Sequence, residues 1–505
     1  MTRPRRLLIV SFDLVRAHDP PLSYSVASLL AYLGASPLAA AGGLTTELEV
    51  VDLLATPRPD LDELVGRLAR HDLARLDVIA LAVYAWSERL VLQLVPALRT
   101  AGYRGAIALG GYQITATPDE DLAATYPGAD HFLKGYAEAS LLRVAAGEPG
   151  CPVILAERPN FDRLPSIYLG GTIPLPEHGA VRMLRWETKR GCAYRCGFCE
   201  WRNAANKQVF EFSPARLREE LDLFRARRIE KVNVLDATFN TGSRYLDITR
   251  EMVQLPIQFS VQARFEQLAG ARGDEFLELC QGGRIHLEFG LQTVVPEEAR
   301  TIGRINDLAA AGRAFGRLAA RGVSYEVSLI FGIPGQTRES FLESVNYLLR
   351  NGCTQIRCFP LRIPRASLLE RQRGADCVTE RPLESNYSVE QVVESFSFGE
   401  PEWAEMAEVA RVLMSKRPGS FLLCRQTGLS WEPFASCDAL EVRASGEEAG
   451  PTGPGPAGLL RVGELAPWLA DGAELDTVCR LDGRSRRATL RQSGGDVLVY
   501  LVGPG

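Results

Sequence analysis

The stretch "KRGCAYRCGFCEWRN" runs from Lys189 to Asn203 and places Cys192, Cys196 and Cys199 in one glycine-containing loop. The loop offers three thiols and no fourth. A structural zinc site is normally closed by four ligands, so zinc would need a further ligand from a distant part of the chain. Ordinary iron–sulfur clusters also take four thiolates, and three thiolates suit a cubane cluster that leaves one iron open to an outside ligand. The spacing favours the open cluster and leaves zinc as the alternative.

The composition is that of a globular protein with more than one domain. The chain has 505 residues, which exceeds what one hydrophobic core usually serves, so we expect two or three domains. The formal net charge of −5 gives no electrostatic basis for nucleic-acid binding. We find no targeting or membrane-spanning segment, and the eleven cysteines favour reduced thiols over a disulfide framework. We therefore expect a cytoplasmic protein without nucleic-acid or membrane partners.

Short apolar runs alternate with helical patterns over the first 145 residues. This alternation predicts a doubly wound, Rossmann-like parallel sheet of the α/β class, covered on both faces. Ligands of such sheets bind beyond the carboxyl ends of the strands, where glycines let the backbone approach them closely. Gly110 and Gly111 follow one apolar run and are candidate ligand-binding residues. An ordinary tight turn would need glycines at these positions as well.

A second series of strands and helices begins near residue 182 and contains the cysteine loop. About six strand–helix units follow, which is too few for an eightfold barrel and predicts a partial (β/α)6 barrel of the TIM type. Active sites of such barrels are built on the loops at the carboxyl ends of the strands. The cysteine loop follows the first strand of the series, so its position favours catalysis over simple electron transfer.

These patterns divide the chain into six segments. We predict a Rossmann-like domain over 1–145, a linker over 146–181, the partial barrel over 182–375, a helical region closing the barrel over 376–443, a flexible Gly/Pro linker over 444–458 and a small C-terminal module without assigned role over 459–505. The arginine-rich stretch "LRIPRASLLERQRGA" from Leu361 predicts a solvated face with salt bridges, and binding of a substrate anion is the alternative.

The cysteine loop resembles the CxxxCxΦC motif of the radical S-adenosylmethionine (SAM) superfamily, with Phe198 in the aromatic position. Two later stretches are similar to other signatures of that superfamily. The stretch "LEFGLQT" (287–293) resembles its fourth-strand signature, and "LIFGIPGQTRESF" (329–341) resembles its fifth-strand segment. The three stretches occur in the order found in the family.

The resemblance implies two cofactors in the barrel. Cys192, Cys196 and Cys199 would bind a [4Fe–4S] cluster whose open iron binds SAM, and one-electron reduction would yield a 5′-deoxyadenosyl radical that abstracts hydrogen. Further cofactor-contact candidates, with Phe198, stand on or after barrel strands: Asp236, Thr238, Asn240, Arg264, Glu288, Gln292, Gly332 and Pro334.

Several of these candidates have structural alternatives. Asp236, Thr238 and Asn240 could equally serve as capping or turn residues. Glu288 and Gln292 alternate with apolar residues and should face the barrel interior, where a structural ion pair is the alternative for Glu288. We expect Arg264 to pair with a carboxylate, such as that of SAM. Turn formation accounts for the glycines and the proline in any case.

The N-terminal pattern resembles the cobalamin-binding domain of cobalamin-dependent radical enzymes. After "LGGYQIT" comes "ADHFLKGYAE", in which Gly135 and Glu138 stand where the family usually reads Gly-Glu-Gly-Glu. No histidine has the DxHxxG setting that supplies a cobalt ligand, and His18 is better explained as a loop residue. The resemblance implies cobalamin bound without a histidine ligand, near these residues and the Gly110-Gly111 pair. A plain docking domain is the alternative.

The resemblance implies a cobalamin-dependent radical SAM methyltransferase. Its substrate would be a specialised metabolite or peptide, which it would methylate at an unreactive carbon or at phosphorus. Its electron donor would be a flavodoxin or ferredoxin. A cyclisation, ring contraction or rearrangement with the same cofactors is a second hypothesis, which a methylated product would exclude. A non-catalytic iron–sulfur sensor or scaffold is the third, and it would not cleave SAM.

Overall fold

The computed structural model contains three large sheets, of six, six and seven strands. Its described residues are 3–17, 19–20, 22–175, 183–200, 208–304, 306–381, 388–417, 419–428, 430–437, 440–445, 449–450, 453–454, 457–461, 474–481, 484–493 and 496–502. His18 and parts of both predicted linkers lie outside the described residues. Among the helices described, none has the length and apolar character needed to cross a bilayer.

The first sheet is built from strands near the N-terminus. Its strands are β1 (Arg5–Asp13), β2 (Leu44–Asp52), β3 (Val78–Ala82), β4 (Ala106–Gly110), β5 (His131–Leu133) and β6 (Ile154–Leu155). The helices between and after them are α1 (Tyr24–Gly34), α2 (Pro37–Ala40), α3 (Leu61–Ala69), α4 (Glu88–Thr100), α5 (Tyr112–Ala116), α6 (Leu122–Thr125) and α7 (Glu138–Ala146). All six strands are parallel, in the order β2-β1-β3-β4-β5-β6.

The apolar residues of β1 explain why this sheet is covered on both faces. Leu8 and Val10 pack into a core that contains residues of α3 and α4. Leu7 and Ile9 point to the other face and pack into a second core with residues of α1 and α7. A central parallel strand needs such a continuous apolar run. The predicted doubly wound α/β domain is confirmed, and its strand order places the topological switch point between β1 and β3.

The second sheet forms the predicted partial barrel. Its elements are β7 (Met183–Trp186), β10 (Lys231–Val234), β11 (Gln258–Ala263), β12 (Ile285–Gln292), β13 (Tyr325–Phe331) and β14 (Ile356–Pro360), with a short antiparallel pair β8 (Lys189–Arg190) and β9 (Phe210–Glu211) between the first two. The helices are α8 (Pro214–Ala226), α9 (Tyr245–Met252), α10 (Gly270–Leu279), α11 (Pro296–Thr301), α12 (Leu308–Ala320) and α13 (Arg338–Arg350). The six parallel strands follow chain order from β7 to β14, which confirms the (β/α)6 architecture.

The C-terminal part differs from the expected arrangement. It contains α14 (Leu368–Gln372), β15 (Thr379–Arg381), β16 (Gln391–Glu394), α15 (Glu400–Ser415), β17 (Phe421–Thr427), β18 (Ser430–Cys437), β19 (Glu441–Ser445), β20 (Ala449–Gly450), β21 (Gly453–Pro454), β22 (Ala457–Arg461), β23 (Glu474–Leu481), β24 (Arg484–Ser493) and β25 (Asp496–Val502). Seven of these strands form one sheet in the order β18-β17-β25-β24-β23-β19-β22.

This sheet corrects two of the predicted boundaries. The segment 376–443, expected to be helical, contributes three of the seven strands as well as α15. Strand β25 from the predicted separate module pairs in parallel with β17, so residues on both sides of the predicted linker share one sheet. Strands β19 and β22 pair with each other and overlap the ends of segment 444–458. Within the described part of that segment, Gly450 lies in β20, Gly453 and Pro454 form β21, and Gly458 lies in β22.

We expect Gly111→Ala to destabilise the N-terminal domain much more than Gly135→Ala. Both glycines have positive φ, 109° and 74°, so alanine is strained at either position. At Gly111 a Cβ would also lie 2.5 Å from the carbonyl oxygen of Val83, whereas at Gly135 it would meet no atom within 4 Å. Urea unfolding should give a loss of about 1 kcal/mol for Gly135→Ala and about 2 to 4 kcal/mol for Gly111→Ala. Equal losses would show that the approach to Val83 is not tight.

Candidate active site

The cysteine loop begins at two buried cations. Lys189 and Arg190 form β8 and are 5% and 4% exposed. The Nζ of Lys189 donates hydrogen bonds to the carbonyl oxygens of Phe239, at 2.7 Å, and Thr241, at 2.5 Å, in the loop after β10. Burial lowers the pKa of Lys189. This ammonium group ties the start of the cysteine loop to the end of the second barrel strand.

Arg190 reaches from the barrel into the N-terminal domain. Its Nη1 lies 2.6 Å from Oε1 of Glu138, the first residue of α7, and its Nη2 lies 3.0 Å from the hydroxyl of Ser28 in α1. Its Nε pairs with Glu187 at 2.7 Å. Glu138, a predicted cobalamin contact, therefore forms an ion pair with the start of the cysteine loop.

None of the three cysteines forms a disulfide, and each is partly exposed. Arg304, which follows α11 and is buried, brings its Nη1 to 3.7 Å from the Sγ of Cys196. In the described part of the chain, no three Cys, His, Asp or Glu side chains converge as the ligands of a single metal ion would. A cubane cluster takes its thiolates on different irons, and a nearby cation offsets their charge. Three thiols in one short loop with a cation beside one of them are a donor set that fits a [4Fe–4S] cluster.

The segment after α11 also braces the loop through its backbone. The N–H of Gly197 donates to the carbonyl oxygen of Ile302 at 2.7 Å, and a Cβ at position 197 would lie 2.9 Å from that oxygen. Phe198, the aromatic residue of the motif, packs against the barrel core. Sequence reasoning missed Arg304 because 108 residues separate it from Cys196 and no spacing rule links the two.

Arg264 lies beside the cysteine loop. Its guanidinium group stands over the ring of Tyr194, 3.9 Å from the ring centroid, and its Nε is 3.1 Å from Oε2 of Glu266. The expected carboxylate partner is therefore supplied by the protein in this structure. Burial by itself would lower the pKa of Arg264. The hydrogen bond and charge of Glu266 outweigh this effect and raise the pKa, and the charge of Cys196 adds a smaller increase. Arg264 adds a second fixed positive charge near that thiol.

Three predicted contacts after β10 serve the neighbouring backbone. The Asp236 carboxylate accepts a hydrogen bond from the N–H of Thr188 at 2.9 Å. The Asn240 amide exchanges two hydrogen bonds with the backbone of Arg264, at 2.9 and 3.0 Å. The Thr238 hydroxyl donates to the carbonyl of the preceding residue at 2.7 Å. The protein itself therefore engages all three side chains, and their contact with a cofactor stays a prediction.

Two predicted contacts on β12 face the barrel interior. Glu288 and Gln292 alternate with fully buried apolar residues that pack toward the outer helices. Burial, and next the charge of Glu326, raise the pKa of Glu288. Gln292 has a φ of 73°, a left-handed conformation that is uncommon for a residue other than glycine. Backbone strain of this kind is often found at functional sites.

Gly332 and Pro334 stand in the turn after β13. Gly332 has a φ of 83°, and a Cβ there would lie 3.3 Å from the carbonyl oxygen of Val392. Its N–H donates to Oε1 of Gln336 at 2.8 Å, and the Gln336 amide donates to Glu298 at 3.0 Å. Gln336 and Glu298 are fully buried and hold the turn. Neither was predicted as a site residue, although Gln336 stands in the quoted fifth-strand stretch.

The carboxyl edge of the first sheet carries buried polar atoms to which none of the described residues gives a hydrogen bond. Ser11 and Asp13 lie at the end of β1, Gln113 lies in α5 and Tyr136 follows β5. Within the described residues, one buried side-chain oxygen of each has no hydrogen-bond partner. The predicted ligand-binding pair Gly110-Gly111 lies at the same edge, after β4.

This edge faces the cysteine loop. Tyr84 follows β3 and stacks on Trp86, with ring centroids 4.7 Å apart. Burial raises the pKa of Tyr84, and the charges of Asp13, at the end of β1, and Glu200 raise it further. Glu200 directly follows Cys199. The end of the first sheet and the end of the cysteine loop are therefore within electrostatic reach of one half-buried tyrosine.

The described histidines of the N-terminal domain lie away from this edge. His71 pairs through Nδ1 with Glu47 of β2 at 2.8 Å. His131 is the first residue of β5 and so lies at the amino end of its strand.

The structure combines a six-stranded partial barrel, which carries the cysteine loop, with a Rossmann-like domain. The sequence profile of the Radical SAM superfamily matches residues 186–348. A similar fold occurs in the radical SAM methyltransferase TsrM from Kitasatospora setae, whose structure was solved with cobalamin and a [4Fe–4S] cluster bound. That comparison gives a TM-score of 0.56 and 18% identity over 76% of this chain and 81% of that chain.

Two curated methyltransferases are similar in sequence to this chain. The 2-(S-pantetheinyl)-carbapenam-3-carboxylate methyltransferase of Streptantibioticus cattleyicolor is 23% identical over 385 residues, and the cobalamin-dependent radical SAM methyltransferase TokK of Streptomyces tokunonensis is 24% identical over 375 residues. Each match covers 65% of this chain and 55% of the relative, so the chain spans about half the length of these relatives. Residues 186–348 are thus similar to the radical SAM superfamily, and a longer part of the chain is similar to these two enzymes. Its radical SAM domain implies a [4Fe–4S] cluster and SAM.

We expect Cys196→Ala to abolish iron binding. Each of the three thiolates would hold one iron, and the loop offers no replacement ligand. Cys358→Ala is the matched control, because Cys358 is a fully buried thiol of β14 outside the cysteine loop. After anaerobic reconstitution, colorimetric assays should find about four irons in wild type and in Cys358→Ala, and almost none in Cys196→Ala. Full iron content in Cys196→Ala would exclude it as a ligand.

Proposed function

We propose that this chain is a cobalamin-dependent radical SAM methyltransferase acting on an unreactive carbon, or phosphorus, of a specialised metabolite or peptide. One observation carries the proposal: the carboxyl edge of the first sheet lies against the cysteine loop. Glu138 contacts Arg190 on one side, and Tyr84 lies near Glu200 on the other. Cobalamin bound at that edge would lie beside a [4Fe–4S] cluster bound at the cysteine loop. The names of the relatives support methyl transfer as the outcome.

The edge of the first sheet fits a cofactor such as cobalamin, whose ring carries amide arms. Because Gly111 has no side chain, its backbone can lie close to the backbone of Val83. The unpartnered oxygens of Ser11, Asp13 and Tyr136 would otherwise be costly, because a buried polar atom without a hydrogen bond is destabilising. Amide groups of a ligand at this edge would satisfy them. Gly110 and Gly135 border the same space at the ends of β4 and β5.

When bound, the cluster and SAM supply a carbon radical, and cobalamin supplies a methyl carrier. The chain's own residues fix where these groups stand. Lys189 and Arg190 hold the start of the cysteine loop between two domains. Arg264 and Arg304 provide positive charge near Cys196. The interior face of β12 offers polar groups to a substrate or to SAM.

We further propose a small molecule or peptide as substrate and a flavodoxin or ferredoxin as electron donor. The cluster needs a one-electron reductant, and these proteins are the usual cytoplasmic donors for such chemistry. A cytoplasmic setting agrees with eleven cysteines that form no disulfide in the structure, because thiols stay reduced there.

The test begins with anaerobic reconstitution of the full chain with iron, sulfide and hydroxocobalamin. We expect about four irons and one corrinoid per chain. The loaded protein is then reduced and incubated with SAM carrying a deuterated methyl group. Mass spectrometry should find the label in the corrinoid fraction and should find 5′-deoxyadenosine. Cys196→Ala should keep the corrinoid and lose 5′-deoxyadenosine formation.

The other outcomes separate the alternatives. Four irons without corrinoid would contradict the methyltransferase and favour a radical enzyme with a docking domain. Corrinoid and 5′-deoxyadenosine without label transfer would favour cyclisation or rearrangement. A loaded protein that never cleaves SAM would favour the sensor or scaffold.

A further inference from the structure

The Arg190 side chain joins two domains at the root of the cysteine loop. Three of its nitrogens are engaged: Nε with Glu187 of the barrel, Nη1 with Glu138 and Nη2 with Ser28. Glu138 and Ser28 belong to α7 and α1 of the N-terminal domain. The Ser28 hydroxyl also donates to Glu138 at 2.8 Å, so the three polar groups form a closed network.

This network is shielded from water. Arg190, Glu138 and Ser28 are 4%, 4% and 2% exposed. The rings of Tyr136 and Phe161 cover the guanidinium group, with centroids 5.3 and 5.8 Å from its central carbon. A buried charge requires a partner, and a guanidinium fork fixes the direction of its partners as well as their distance. The network therefore determines where the backbone at position 190 can stand.

The position of that backbone determines where the first thiol stands. Only Gly191, with a φ of 96°, separates Arg190 from Cys192. On the other side, the Lys189 ammonium is fixed to the loop after β10. The start of the cysteine loop is thus clamped between the barrel and the N-terminal domain.

We propose that Glu138 and Arg190 are positioning residues through which the N-terminal domain completes the iron–sulfur site of the barrel. This inference rests on the proposed function, because it takes the cysteine loop as the cluster site. It assigns Glu138 a role different from cobalamin contact. The cluster and its SAM site then depend on a residue of the other domain, even when no cobalamin is bound.

The test compares the Glu138→Gln variant with a variant in which a different buried ion pair is broken. Glu138→Gln keeps the size of the side chain and removes its charge. Asp496→Asn is the matched control, since Asp496 pairs with Lys416 at 3.0 Å and both are buried in the C-terminal part. Each full-length protein is reconstituted with iron and sulfide only. Iron retention after desalting, thermal midpoint and the electron paramagnetic resonance spectrum of the reduced cluster are then measured, with and without SAM.

We expect Glu138→Gln to lose iron several-fold faster than wild type. We also expect about ten-fold more SAM to be needed for the spectral change, since disturbing residues behind metal ligands typically costs ten- to a hundred-fold. Asp496→Asn should lower the thermal midpoint and leave iron retention and the spectra as in wild type. Arg190→Lys, which keeps the charge but not the fork, should be intermediate.

Wild-type iron retention and spectra in Glu138→Gln would overturn the inference, whatever the thermal midpoint. If Glu138→Gln does not fold, Ser28→Ala removes one member of the network and should show the same two defects in weaker form. Wild-type behaviour of a folded Ser28→Ala together with Arg190→Lys would overturn the inference as well. A wild-type chain that binds no iron would instead contradict the proposed function, so the two failures are distinguishable.

Discussion

Charge buried between the two parallel sheets must be paired, and the docking of the domains depends on this requirement. Arg190 pairs with Glu138, and Arg365 pairs with Glu88 at 2.8 Å. Glu88, 2% exposed, also accepts a hydrogen bond from Gln113 at 2.8 Å. Removing one partner of a buried pair costs about 3 to 5 kcal/mol, whereas the intact pair adds little net stability. We infer that these pairs specify how one domain sits on the other.

The same interface explains why backbone, rather than side chains, forms much of the candidate site. Parallel strands place their carboxyl ends at one edge, and the chain must turn sharply after each strand. Gly111 and Gly332 make two of these turns with positive φ, and at each a carbonyl oxygen of another segment lies close to where a Cβ would stand. A side chain at either position would push the neighbouring segment away. Glycine at these two positions therefore permits the close approach of backbone segments at the edge.

Local patterns predicted the two parallel sheets because a buried strand and an amphipathic helix each need a recognisable order of apolar residues. The cysteine loop was predictable because its three thiols lie within one short segment. The contacts of Glu138 with Arg190 and of Arg304 with Cys196 were not, since they join residues 52 and 108 positions apart. The parallel pairing of β25 with β17 was missed for a related reason. Parallel strands are not joined by a tight turn, so no local sequence signal indicates that they pair.

Asp236 and Asn240 use their side chains on the backbone of the barrel, whereas the polar side chains of β12 lie on its interior face. Glu288 lies there, and the raised pKa of its carboxyl extends the pH range over which it can donate a hydrogen bond. Arg304 donates from Nη2 to the carbonyl of Gly290, which shares this face, and from Nη1 to Cys196. One guanidinium group therefore links the polar wall of β12 to the cysteine loop. A substrate held against that wall would stand beside the group that orients the thiol.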